Sequence, residues 1–154
     1  MSQHFAKLAQ LKAKISSHGT DNPSKLYIAI EGRSVPLVLL FLLHAADISK
    51  PAKAAPIFME WCDRCLEEFF AQGDAEKQEG LPVSAMCDRD LTVRSDSQLG
   101  FIKFIVRPTY VLMSDLMPRV VDEILPVLES NLRYWEEEKL REEEELLTEE
   151  EDEE

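Results

Sequence analysis

From Val35 to Leu43 the chain carries no polar or charged side chain, and the apolar character persists to Ala46 apart from His44. As a helix this stretch would be apolar all round, so the pattern predicts a central core helix covered on every side. At about a dozen residues it falls short of the roughly 20 apolar residues that a membrane span needs. Ser34 is placed to cap its start and Pro36 to sit in its first turn, while Lys50 and Pro51 end it. Asp47 then lies in the last turn.

The rest of the chain alternates between helical periodicity and breakers. Phe5, Leu8, Leu11 and Ile15 recur at helical spacing. No acidic residue occurs before Asp21, a pattern that a mitochondrial presequence shares. Ser16 to Pro23 reads as a loop, and Leu26, Ile28 and Ile30 alternate as a short strand would. Pro51 to Pro56 reads as a linker before an amphipathic helix from Ile57 to Gln72 that Gly73 ends, and Gly80 and Pro82 mark the next turn. Beyond Asp115, with Pro118 near its start, a stripe of Val121, Leu125, Leu128, Leu132 and Trp135 predicts another helix, which Pro126 must kink or restart. With four helical stretches and no long alternating strand, the pattern predicts an all-α fold in a single subdomain.

Charge changes this picture at one end only. The chain has 154 residues, 45% of them hydrophobic, and a net charge of −13. Residues 136–154 hold thirteen acidic and two basic side chains, a net of −11, which leaves −2 for the other 135 residues. Its apolar residues are only Leu140, Leu146 and Leu147, so it is expected as a frayed helix or a disordered, solubilising tail. The domain proper is therefore assigned to residues 1–135. A nearly neutral domain with an acidic tail argues against a nucleic-acid partner, which requires a basic surface. Cys62, Cys65 and Cys87 form an odd set with no secretory signal nearby, which points to free thiols in a reducing compartment, the cytoplasm.

Three groups could carry chemistry. Asp47 is costly at a helix C-terminus beside an apolar surface, and solvation, an ion pair or a metal could compensate it, with His44 one turn earlier on the same face. Cys62 and Cys65 form a C-x-x-C, but no second pair or suitable histidine pair completes a zinc set, so they read as packed helix residues. Gln98 and Phe101 lie one helical turn apart. An amide that offers donors and an acceptor in one plane, next to a ring that can stack, suits a purine base, although such a pair is commonplace in structural roles.

The wording of these segments is more specific than their spacing. Leu43-His44-Ala45-Ala46-Asp47-Ile48-Ser49-Lys50-Pro51, Trp61-Cys62-Asp63-Arg64 and Glu67-Glu68-Phe69-Phe70-Ala71-Gln72-Gly73-Asp74 closely resemble the catalytic domain of class I 3′,5′-cyclic nucleotide phosphodiesterases. So do Ser84-Ala85-Met86-Cys87-Asp88-Arg89 and Ser97-Gln98-Leu99-Gly100-Phe101-Ile102-Lys103-Phe104-Ile105-Val106-Arg107-Pro108. The resemblance runs from Met1 to about Trp135 and covers the C-terminal half of that domain. A match that begins at Met1 without lead-in suggests a truncated product, an alternative start or an incomplete gene model.

The resemblance implies an all-helical fold, an irregular connection across Leu26 to Ile30, and hydrolysis of cyclic AMP or cyclic GMP to the 5′-nucleotide in signal transduction. It implies that Gln98 holds the purine, that Phe101 stacks on it, and that Met86, Phe69 and Trp61 line or support the same pocket. Cys65 stands where the family usually has a branched aliphatic closing the nucleotide clamp, and Lys50 departs from the family at a position linked to base preference. Family chemistry uses two divalent metal ions, zinc with magnesium or manganese, that activate a bridging hydroxide. Asp47 matches one metal ligand. The family's two metal-binding histidines, its bridging aspartate and its proton-donating histidine have no counterpart among His4, His18 and His44. One carboxylate does not hold a metal pair against water, so this chain is expected to bind nucleotide poorly and to hydrolyse nothing alone. The expected partners are a cyclic nucleotide and either the missing N-terminal half or another phosphodiesterase chain. The second function class is a non-catalytic helical interaction module derived from the same domain.

Overall fold

In the computed structural model the described residues are 2–16 and 35–152, with side chains described for most of them. Ser34, the alternating stretch from Leu26 to Ile30 and the loop after Ser16 lie outside these residues. Seven α-helices and no strand occur among the described residues: α1 Ser2–Ser16, α2 Val35–Asp47, α3 Ala55–Gln78, α4 Arg94–Phe101, α5 Arg107–Leu116, α6 Val120–Glu123 and α7 Leu125–Asp152. A 3₁₀ turn, Lys50–Ala52, joins α2 to α3, and a π-helical segment, Ile102–Val106, makes α4 and α5 continuous. Pro108 explains the π segment. It has no N–H to give back to the turn before it, so the backbone widens there, and the Arg107 N–H reaches Ile102 O instead.

The core collects one face from each element. Leu11 and Ile15 of α1, Val38, Phe41 and Ala45 of α2, Phe58 and Cys62 of α3, Ile102, Val106 and Tyr110, and Leu128, Leu132 and Trp135 of α7 form one buried cluster. Tyr110 fastens α5 to α2 by donating to Ala45 O at 3.0 Å. Asn131, buried on α7, donates to Pro51 O and Lys53 O, each at 2.8 Å, and so fixes the turn that carries Lys50. Phe58 meets Trp135 edge-on, with ring centroids 6.4 Å apart.

Three expectations need correcting. The helix predicted over Ile57–Gln72 runs from Ala55 to Gln78, and its first turn takes in Pro56, the end of the supposed linker. Gly73 does not end it. The helix stops at a Schellman motif, with Gly80 at φ +69°, Gly80 N–H bonded to Lys77 O and Leu81 N–H to Glu76 O. Second, α2 is not covered on every side: Val38, Phe41 and Ala45 are buried, but Leu39 is 60% exposed and Leu43 70%. The described elements supply neighbours for one stripe of that helix only. Third, Pro51 to Pro56 is no plain linker, since Lys50–Ala52 is helical and Pro51 is buried.

Pro126 marks a restart: α6 ends at Glu123 and α7 begins at Leu125, which places Pro126 in the first turn. From there α7 continues as helix through Asp152. Part of its acidic half lies against α4 and the π segment. Lys139 pairs with Asp96 at 2.5 Å, Ser95 donates to Glu142 at 2.5 Å, and Glu136 pairs with Lys103 at 2.8 Å. No helix among the described residues is long and apolar enough to cross a membrane.

Candidate functional site

Lys50, Cys62, Gln98 and Phe101 converge although they come from three different segments, the Lys50–Ala52 turn, α3 and α4. Gln98 is 4% exposed. Its Oε1 accepts from Cys62 Sγ at 3.1 Å and from Lys50 Nζ at 3.3 Å, and its Nε2 donates to Ser97 Oγ at 3.2 Å. The Lys50 ammonium lies 5.8 Å from the centroid of Phe101 and 5.9 Å from that of Phe58, within cation–π range of both rings. Burial pushes the Cys62 thiol up to about 11, so it stays protonated at neutral pH and can act as the donor to Gln98.

Beside this cluster opens a cavity of about 670 Å³, bordered by Met86, Val93, Ser97, Gly100, Phe101 and Phe104 among others. The segment after α3 builds its outer wall and is pinned down by charge. Arg89 pairs with Glu67 at 3.0 Å and Asp74 at 3.1 Å, and Lys77 pairs with Asp88 at 2.8 Å and Asp90 at 3.1 Å. Glu76 accepts from the Ser84 backbone N–H at 2.6 Å and from its hydroxyl at 2.7 Å. Each of these exposed contacts is weak alone. Ser84 to Cys87 is a tight turn closed by Cys87 N–H to Ser84 O at 3.0 Å, and Met86 occupies it at φ +68°, a conformation that costs a non-glycine residue of order 1 kcal/mol. The turn thus places Met86 at the cavity wall despite strain.

The predicted residues separate into two groups. Gln98, Lys50 and Phe101 are brought together, and Met86 shares the cavity with Phe101. Trp61, Cys65 and Phe69 follow one another at single-turn spacing on α3; Trp61 is 50% exposed and Phe69 40%, with Arg64 stacked on Trp61 at 5.4 Å. They do not border the 670 Å³ cavity, and neither do Gln98 and Lys50, whose neighbours Phe101 and Ser97 line it. Sequence reasoning missed Ser97, Phe58 and Asn131, and nothing in their spacing singles them out.

Asp47, the last residue of α2, is exposed. Among the described residues no three His, Cys, Asp or Glu side chains are grouped so as to hold a metal ion. A metal pair therefore does not fit the described residues by themselves.

Comparison with known proteins gives the family. Residues 1–127 match the family model for 3′5′-cyclic nucleotide phosphodiesterase. The chain is 35% identical over 136 residues to 3′,5′-cyclic-AMP phosphodiesterase 4C of Mus musculus, covering 88% of this chain and 20% of that protein. It is 38% identical over 125 residues to the dual specificity calcium/calmodulin-dependent 3′,5′-cyclic nucleotide phosphodiesterase 1C of Homo sapiens, covering 81% of this chain and 16% of the relative. Among solved structures, the phosphodiesterase domain of the RhoPDE fusion protein from the choanoflagellate Salpingoeca rosetta superposes with a TM-score of 0.75 at 28% identity, covering 92% of this chain and 44% of that one. LmjPDEB1 in complex with IBMX gives 0.71 at 27%, covering 89% and 39%. The chain thus spans about a fifth of the length of the curated relatives it matches. By its family match and by these relatives, the chain belongs to the 3′5′-cyclic nucleotide phosphodiesterase family.

Proposed function

We propose that this chain forms the base-recognition part of a metal-dependent cyclic nucleotide phosphodiesterase, acting in the cytoplasm on cyclic AMP or cyclic GMP. The observation that carries the reading is the convergence of Gln98, Lys50 and Phe101 beside an open cavity. The ring of Phe101 offers a stacking surface and the Gln98 amide an orienting contact, with Met86 closing the wall. Hydrolysis to the 5′-nucleotide adds water across the phosphorus–O3′ bond and delivers a proton to O3′. In a complete site a metal pair, zinc with magnesium or manganese, would supply the nucleophilic hydroxide, and Asp47 is the residue here that would hold one ion. Among the described residues no group of His, Cys, Asp or Glu side chains supplies the other ligands.

The 154-residue chain with added Mg²⁺, Mn²⁺ or Zn²⁺ is therefore expected to show no hydrolysis of either cyclic nucleotide. Mixed with a segment bearing the family's histidine motifs, it is expected to regain turnover that Asp47→Ala abolishes, with partial rescue at high metal concentration. In that assembly Gln98→Ala should mainly weaken nucleotide binding. Asp47-dependent hydrolysis by the chain alone would overturn the reading. A second reading, a non-catalytic module that associates with another phosphodiesterase chain, is favoured by the exposed Leu39 and Leu43 of α2.

A further inference from the structure

The end of α7 is helical, yet the charges on it oppose a helix. Residues 142–145 and 149–154 are all acidic, and no basic residue follows Arg141. Acidic groups gathered at the negative end of the helix dipole, with like charges four residues apart as in Glu145 and Glu149, weaken the last turns. Among the described residues the last side chain of α7 bonded to another element is Glu142, which accepts from Ser95 Oγ. Leu146 and Leu147 beyond it are exposed. Opening the backbone after Glu142 therefore costs little.

Thr148 is the one hydroxyl side chain in these turns. It is exposed, and its Oγ1 donates to Glu145 O at 2.8 Å within the helix. Of all the serines and threonines in the chain, it alone is followed three residues later by an acidic residue, Glu151. Once the turn opens, the hydroxyl sits in extended chain with carboxylates on both sides. That is the pattern a kinase with a basic substrate groove selects, because lysine and arginine side chains pair with carboxylates at fixed positions.

We propose that Thr148 is a phosphorylation site for an acid-directed serine/threonine kinase, and that its phosphate unwinds α7 beyond Glu142. Magnesium ATP is the phosphoryl donor. Thr148 Oγ1 bonds to the γ-phosphorus, the bond from that phosphorus to the β–γ bridging oxygen breaks, ADP leaves, and the hydroxyl proton passes to the base of the kinase. The phosphate brings a charge of about −1.5 to −2 at pH 7. It arrives at the negative end of the helix among carboxylates, and the esterified oxygen no longer donates to Glu145 O. The Glu142–Ser95 and Lys139–Asp96 contacts lie before the unwound segment and keep the rest of α7 on α4.

The test incubates the isotope-labelled 154-residue chain with magnesium ATP and casein kinase II, a kinase of this class, and reads the product by mass spectrometry and backbone resonances. The expected product carries one phosphate, on Thr148, and residues 143–152 lose their helical carbon shifts while residues 125–142 keep theirs. Glu151→Gln should slow the transfer roughly tenfold, the cost of one charged contact. Thr148→Ala, an exposed change that leaves the core alone, should take up no phosphate. Absence of phosphate on Thr148, an unchanged rate with Glu151→Gln, or equal transfer to other hydroxyls overturns the site. Carbon shifts over residues 143–152 that are the same before and after modification overturn the unwinding.

Discussion

Gly73 and Cys87 touch backbone to backbone: a Cβ at position 73 would lie 1.9 Å from the Cys87 carbonyl oxygen and 2.7 Å from its carbonyl carbon. The contact lets the Ser84–Cys87 turn press onto α3 and sets the height at which Met86 meets the cavity. Neither partner is the flexible end of a side chain, so a methyl group there must push the turn away. Gly73→Ala should destabilise the fold by roughly 2 kcal/mol even though alanine is the better helix former. Thermal unfolding of the variant checks this, and a melting temperature equal to or above that of the parent would contradict the close contact.

The same segment should loosen in acid. Hydrogen bonds from Arg89 hold the Glu67 carboxyl below its usual range, and a hydrogen bond from Lys77 does the same for Asp88, as the Ser84 backbone N–H does for Glu76. Groups whose folded pKa is lowered favour the folded state above their ordinary values, 4.5 for glutamate and 3.8 for aspartate, and that contribution is lost as pH falls through the lowered values. Residues 81–93 are thus expected to exchange amide hydrogens faster below about pH 4 while the core around Leu128 and Trp135 still holds. Uniform exchange across both regions at every pH would argue against these pairs as the fastening.

Local signals were legible in the sequence where the responsible residues lie within a turn or two of each other. Gln98 and Phe101 both meet Lys50 because helical spacing brings them near one face, and Pro126 marks a restart because it has no N–H to offer. Gly73 was misread because a glycine near polar residues resembles a helix end, whereas its role depends on Cys87, which approaches from the next segment. The pairing of Lys50 with Gln98 spans 48 positions and that of Asn131 with Pro51 spans 80, distances that no periodicity encodes. The apolar run in α2 announces burial, but not how much of the covering surface these residues provide.

Asn131 should be worth more than its size suggests. Its single Nδ2 serves two carbonyls of the Lys50 turn, and both the side chain and Pro51 are buried. Asn131→Leu keeps the volume and leaves those carbonyls without their donor, which should cost roughly 1 to 3 kcal/mol. Because the turn carries Lys50, the variant should also shift the Gln98 side-chain amide resonance. Loss of stability with that resonance unmoved would show that the turn holds its place without Asn131.

The exposed side of α2 sets how the chain behaves in solution. Leu39 and Leu43 stand one turn apart at 60% and 70% exposure, with Leu40 beside them at 42%. The helix is otherwise too apolar to lie at a surface by itself, since its polar members are confined to His44 and Asp47 at one end. Contiguous apolar surface of this kind drives association, and each fully covered leucine gains roughly 1.5 to 3 kcal/mol. Sedimentation of the purified chain should therefore show concentration-dependent self-association and binding of an apolar dye. Leu39→Glu combined with Leu43→Glu should shift it to monomer without loss of helicity, because neither side chain contributes to the core formed by Val38, Phe41 and Ala45. A parent chain that sediments as a stable monomer with no dye-accessible surface would mean that α2 is covered by residues outside those described.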